Sequence, residues 1–256
     1  MKVTRSLRHI LIAVSLVSVA SCSSSSDRTT DGERIVTMTA GLTEAVFALG
    51  FGDLVVGRDL GSTLAEASDR PIVTTTHDVN VEALLAVRPT LVIVDEDTGP
   101  DEALDQVRST GVRVEVVDKA TGVDEIVPRL EKVAAILGAP ERAARLGALI
   151  DSELERVRAE TSTFTPPRVA FLYVRGPAGV YLLGGPGSGP DSIIEAAGGI
   201  DAGTAIGLDL PFTPLTPEAL VEAAPDILAR HHDRPCVGRR LRWTPRTRGC
   251  AADTSR

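Results

Sequence analysis

Histidine occurs four times in this 256-residue chain, and between the leader and an unusual C-terminal tail it occurs once, as His77 in THDVNVE. A lone imidazole can ligate a metal or move a proton near neutral pH. A second grouping is Tyr173-Val174-Arg175, inside the apolar run RVAFLYV. On a strand, positions 173 and 175 face the same way. The guanidinium can then donate a hydrogen bond to the phenol oxygen and favour its charged form. Tyr181 is a rival phenol, but no arginine follows it at the same spacing, and it reads as structural or pocket-lining. Glu82 and Glu218 form a third pair, each two residues after a helix-cap candidate. Taken singly they are solvated first-turn carboxylates that complement a helix dipole. The run GGPGSG at 184–189 imitates a phosphate loop weakly, because the Lys-Ser/Thr that makes such a loop specific is missing. A nucleophile elbow and a catalytic carboxylate pair are both missing from the pattern, which argues against an enzyme. One in-pattern histidine is too few for a zinc or manganese carrier.

The elements that position these residues centre on 72–95, IVTTTHDVNVEALLAVRPTLVIVD. Asn80 is an N-cap, Val81, Leu84 and Leu85 recur at helical spacing, Pro89 stops the helix, and Leu91 to Val94 reads as a strand buried on both faces. The unit recurs as LTPEALVEAAPDIL, 215–228, with Thr216 as cap, Pro217 at the first helical position and Pro225 as stop. Before the first copy lie a strand at Ile35–Met38, a helix to about Leu49 and a strand at Val55–Gly57. After it come a helix at Asp101–Ser109 and a strand at Val112–Val117. Such strand–helix alternation marks a parallel sheet covered by helices. Residues 123–163 read as helical apart from a break at Gly138-Ala139-Pro140, and the piece after Pro140 is long enough to bridge two lobes. Strands at Arg168–Val174 and Val180–Leu183 and a helix at Asp191–Ala197 open the second lobe.

Lys2, Arg5 and Arg8 precede the apolar run Ile10–Val19, the layout of an export signal. It ends in Val19-Ala20-Ser21-Cys22, which resembles a bacterial lipobox and implies cleavage before Cys22 and acylation of its thiol. Residues 23–33 read as a flexible polar tether. The net charge of −8 and the scarcity of aromatics exclude the usual nucleic-acid surfaces. Residues 230–256 stand apart, with eight Arg against two Asp, the only Trp, and two of the three Cys. They carry no apolar periodicity, and the expectation is a slipped reading frame that cuts the second lobe short. A disordered basic tail is the alternative.

Together the lipobox, the Thr-Glu-Ala…Leu-Gly helix, the two Glu-bearing units and the long central helix resemble the substrate-binding lipoproteins of bacterial ABC importers. The class is the one with two lobes joined by a single helix, which carries siderophores, haem or cobalamin. Within it, His77 and Tyr173-Val174-Arg175 resemble haem-binding members of the HmuT type. That resemblance implies an α/β fold of two Rossmann-like lobes, with a lobe at 34–120, a bridging segment at 121–165 and a partial lobe at 166–229. It implies haem as transported ligand, held by His77 and Tyr173 with Arg175 supporting the tyrosine. Glu82 and Glu218 would dock on the permease, and Cys22 would anchor the protein as a monomer to the outer face of the cytoplasmic membrane. Siderophore or cobalamin binding on the same fold, or a non-functional remnant, are the competing expectations.

Overall fold

Leu91, Val92, Ile93 and Val94 have no polar side to offer solvent, and the fold buries them from both faces. The computed structural model describes residues 32–75, 78–175 and 180–230. Its first lobe runs β1 (Ile35–Thr37), α1 (Ala40–Ala48), β2 (Val55–Asp59), β3 (Ile72–Thr75), β4 (Asp78–Val79), α2 (Val81–Ala86), β5 (Leu91–Asp95), α3 (Asp101–Ser109) and β6 (Arg113–Val117). The sheet order is β4-β3-β2-β1-β5-β6, and every neighbouring pair is parallel except β3–β4. Successive strand residues point to opposite faces. Ile35, Leu91 and Ile93 therefore enter a core with α1 and the later helices, while Val36, Val92 and Val94 enter another with Leu84, Leu104 and Val107. Burial of each such side chain contributes about 2 kcal/mol.

Capping sets the ends of α2. The Asn80 side chain accepts a hydrogen bond from the Ala83 N–H at 2.9 Å, and the helix closes before Arg88, whose φ is 48°, and Pro89. The second copy matches residue for residue. Thr216 accepts from the Ala219 N–H at 3.1 Å, and the chain leaves the helix through Ala224, φ 38°, and Pro225. Left-handed backbone at a non-glycine residue is uncommon. Its presence at the same place in both copies reflects one solution to leaving a short helix ahead of proline.

Helix α4 (Ile126–Ile136) covers the first lobe, and α5 (Pro140–Thr161) follows. With 22 residues α5 is about 33 Å long. Its first half packs into the first core through Ala143, Leu146 and Ile150. Its last residue, Thr161, packs on Gly198, where a Cβ would lie 2.6 Å from the Thr161 hydroxyl oxygen. The bridge expected from periodicity is thus the observed one.

The second lobe contains β7 (Arg168–Arg175), β8 (Val180–Gly184), α6 (Pro190–Ala196), β9 (Ile200–Asp201), α7 (Ala202–Ala205), β10 (Phe212–Pro214), α8 (Pro217–Ala223) and β11 (Ile227–Arg230). Its sheet runs β10-β8-β7-β11, with β9 also on β7. It is more evenly mixed than the first sheet, because β7–β8 and β8–β10 are antiparallel whereas β9 and β11 run parallel to β7. The joint between β7 and β8 is too short for the crossover that a parallel pair needs. The tail at 230–256 lies outside the described residues apart from Arg230, which ends β11.

Gly203 marks the tightest contact in this lobe. A Cβ there would stand 1.9 Å from the carbonyl oxygen of Gly184. Gly203→Ala must push α7 off β8, and overpacking of this kind costs roughly 1–3 kcal/mol. Urea unfolding of the variant should show a lowered midpoint. An unchanged midpoint would mean that α7 does not pack against β8 this closely.

Candidate functional site

In open α/β sheets, ligands collect at the carboxyl ends of the parallel strands. On the first lobe that edge carries the β3–β4 hairpin, in which Thr75 pairs with Asp78 and Thr74 with Val79. His77 lies outside the described residues, between those paired flanks. Beside the hairpin is a groove of about 550 Å³ lined by Ile72, Val73, Val79 and the start of α2.

A buried polar chain shapes the same edge. The Thr37 and Thr43 hydroxyls are 2.7 Å apart, Thr43 and Ser62 are also 2.7 Å apart, and the Ser62 hydroxyl donates to Asp59. Asp59 also accepts the Gly61 N–H at 2.7 Å. Arg58 donates to the carbonyls of Ala67 and Ser62 at 2.8 and 2.7 Å. These groups are almost fully buried, and their mutual bonds offset the cost of removing them from water. They fix the loop after β2 onto the start of α1. Farther along the edge, Lys119 pairs with Asp97, which raises the lysine pKa through their hydrogen bond. Arg129 donates to the Asp118 carbonyl at 2.7 Å and lies 3.7 Å from Asp95.

On the second lobe Tyr173 is half-buried near the carboxyl end of β7. Its ring centroid is 5.5 Å from that of Phe212, with the planes tilted by 47°, and Leu182 is its cross-strand neighbour. Position 175 shares this face of the strand, although the Arg175 side chain is outside the described atoms. Tyr181 pairs with Val174 and so belongs to the opposite face, 51% exposed. The two tyrosines are not alternatives for one site. The glycine-rich run is filled by its own carboxylate: Asp191 accepts the Gly187 and Gly189 N–H groups at 2.7 and 2.8 Å. No phosphate loop remains.

Glu82 and Glu218 are exposed in the first turns of α2 and α8, with no ion-pair partner among the described residues. Cys22 lies outside the described residues. Among those that are described, no group of His, Cys, Asp and Glu could hold a metal ion, and no helix is long and apolar enough to cross a membrane. Two contributors escaped the sequence reading. Phe212 sits in a three-residue strand too short to show a period, and its rarity as one of five phenylalanines was the only signal. Ser192 accepts the Val123 N–H at 2.7 Å, joining the loop after β6 to α6 across the lobes, and a lone helical serine carries no such signature.

A family model described as "Periplasmic binding protein" matches residues 35–235. The ABC transporter substrate-binding lipoprotein YvrC of Bacillus subtilis is 26% identical over 201 residues, which is 77% of this chain and 62% of that protein. A vitamin B12-binding protein of Yersinia pestis is 27% identical over 137 residues, 53% of this chain and 49% of that one. The chain thus spans less than two thirds of either relative. Among solved structures, the apo form of the periplasmic haem-binding protein RhuT from Roseiflexus sp. RS-1 is similar with a TM-score of 0.73 and 37% identity, covering 77% of this chain and 76% of that one.

The loop that meets Ser192 is itself pinned by Glu125, which accepts the Thr121 and Gly122 N–H groups at 2.6 and 3.0 Å. The backbone bond from Thr121, then that from Gly122, hold its pKa below the ordinary 4.5. A depressed carboxyl stabilises the fold fully above its unfolded value, and that contribution fades as pH falls through the lower folded value. The Thr121 and Val123 amide shifts should therefore titrate with a midpoint below 4.5, and Glu125→Gln should abolish the step. A midpoint at or above the ordinary value would contradict the cap.

Proposed function

The chain belongs to the periplasmic binding protein family, a family of carriers rather than enzymes, and on that premise we propose that it binds haem outside the cytoplasm and delivers it to an ABC-type permease. His77 from the first lobe and Tyr173 from the second are the axial ligands. Imidazole and phenolate both ligate haem iron, and phenolate favours the ferric state. Arg175, two positions along the same strand, is assigned the supporting role for Tyr173. The observation that carries this reading is the setting of Tyr173. It is half-buried against Phe212, beside Leu182, near the carboxyl end of β7. Its apolar neighbours can face a macrocycle while its oxygen reaches the iron. The similarity to RhuT supports the same cargo.

On this reading Glu82 and Glu218 meet basic residues of the permease, and their matching places in two copies of one unit give a matched pair of docking points. Cys22 is the lipid anchor on the outer face of the membrane. The first lobe spans 34–120, the bridge 121–165 and the second lobe 166–229. Cobalamin is the second reading, favoured by the likeness to the Yersinia vitamin B12-binding protein.

Titrating the chain with hemin and with cyanocobalamin separates the two. Hemin should bind with a shifted Soret band and be preferred. Tyr173→Ala should weaken it by more than about tenfold, and Arg175→Ala by less. Preference for cyanocobalamin, or hemin binding indifferent to Tyr173→Ala, would overturn the haem assignment. Glu82→Ala and Glu218→Ala should leave binding intact but slow uptake, since exposed charges mainly steer and register a partner. Lost ligand binding in both would place these carboxylates in the cleft instead.

A further inference from the structure

Tight turns favour Gly, Pro, Asn, Asp and Ser, each for a backbone reason. The turn Asp59–Ser62, which closes β2, keeps that chemistry at Asp59, Gly61 and Ser62. Its remaining place holds Leu60, which is 54% exposed. One exposed leucine on an open surface carries no message. This one is distinguished by its place and by what lies beneath it. Among the described residues 34–120, the other exposed large apolar side chains belong to strands: Ile72 opens β3 and Val116 lies within β6. Leu60 alone stands in a loop at the carboxyl end of a strand, the edge where open α/β sheets bind ligands. The loops after β5 and β6 begin instead with Glu96-Asp97 and Asp118-Lys119.

The turn itself is fixed from within. The Asp59 carboxylate accepts the Gly61 N–H at 2.7 Å and the Ser62 hydroxyl, while Arg58 donates to the Ser62 carbonyl at 2.7 Å. Leu60 gives its own N–H to the Thr74 carbonyl at 3.0 Å, which ties the turn to β3 beside the hairpin. Asp59 and Ser62 are almost wholly buried. A buried polar network thus holds an apolar side chain half in water, an arrangement that gains nothing for the protein alone. We propose that Leu60 is the first lobe's apolar contact with the cargo, lying against one face of the planar macrocycle and favouring it over ligands with polar faces. The inference rests on the haem assignment above. On that assignment the second lobe offers Tyr173 with Phe212 and Leu182, and the first lobe needs an apolar surface for the other side of the ring. Leu60 can give up its exposed surface to that ring without losing a hydrogen bond, because its N–H is already paired with Thr74.

The test uses the full chain and two probes, hemin and iron-free protoporphyrin IX. Protoporphyrin keeps the flat ring and offers no metal to an axial ligand. Leu60→Ala should weaken both probes by a similar factor, about fivefold or more, and Leu60→Asp should weaken both further. Leu60→Met keeps an apolar side chain of similar volume and should restore most of the affinity. Tyr173→Phe, in contrast, should weaken hemin alone. Urea midpoints of the Leu60 variants should match the parent, because the side chain is half outside the fold. Affinities for both probes indifferent to Leu60→Asp would overturn the proposal, even with a Tyr173-dependent hemin complex still standing. Intact binding with impaired uptake would set Leu60 against the permease and overturn it as well. Failure of the parent chain to bind hemin would overturn the haem assignment, and this contact with it.

Discussion

The distance between the two lobes is held by a helix with little freedom to change it. α5 has 22 residues, its N-terminal half sits in the first core and its last residue rests on Gly198 of the second lobe. An α-helix is a stiff rod along its hydrogen-bonded axis, so rotation at its ends is the remaining freedom. The Val123–Ser192 bond restrains that rotation from a second point. A ligand gripped from both sides must then match a gap already present. That constraint suits a rigid, planar cargo and places the burden of selectivity on a few side chains along the lobe edges.

The first lobe spends much of its buried polarity on those edges. Thr37, Thr43, Ser62 and Asp59 form one connected chain beneath the loop after β2, and a half-satisfied version of it would cost more than an apolar replacement. Across the cleft the corresponding work is done by aromatic contact, Tyr173 against Phe212, with the neighbouring glycine loop held by Asp191. One side is preorganised by hydrogen bonds, and the other presents a phenol in an apolar setting.

Much of this was legible in the sequence where a local rule has one outcome. Asn80 and Thr216 cap the helices they were expected to cap, Pro89 and Pro225 follow helix ends, and the unbroken run at Leu91–Val94 is a fully buried central strand. The short strands β3, β4, β9 and β10 and the single-turn α7 were not legible, since two to four residues cannot display a period and their pairing is decided by tertiary contact. The mixed second sheet escaped for a similar reason, because strand direction depends on the length of a connection more than on residue pattern. Identical local signals also led to unequal burial. β5 and β11 follow the same cap, helix and proline, but β5 lies between two strands, whereas β11, among the described residues, pairs with β7. At the candidate site, the arginine at i+2 sets Tyr173 apart from Tyr181 in the sequence, whereas Phe212 and Ser192 become meaningful only once the strands and lobes are assembled.

The most direct measurement is the visible and electron paramagnetic resonance spectrum of the ferric haem complex, compared with that of Tyr173→Phe. Phenylalanine keeps the ring that packs on Phe212 and removes only the hydroxyl. The expected result is a phenolate-to-iron charge-transfer band in the parent chain that disappears in the variant, with the iron retaining an imidazole from His77. Identical spectra for the two proteins would contradict ligation by Tyr173.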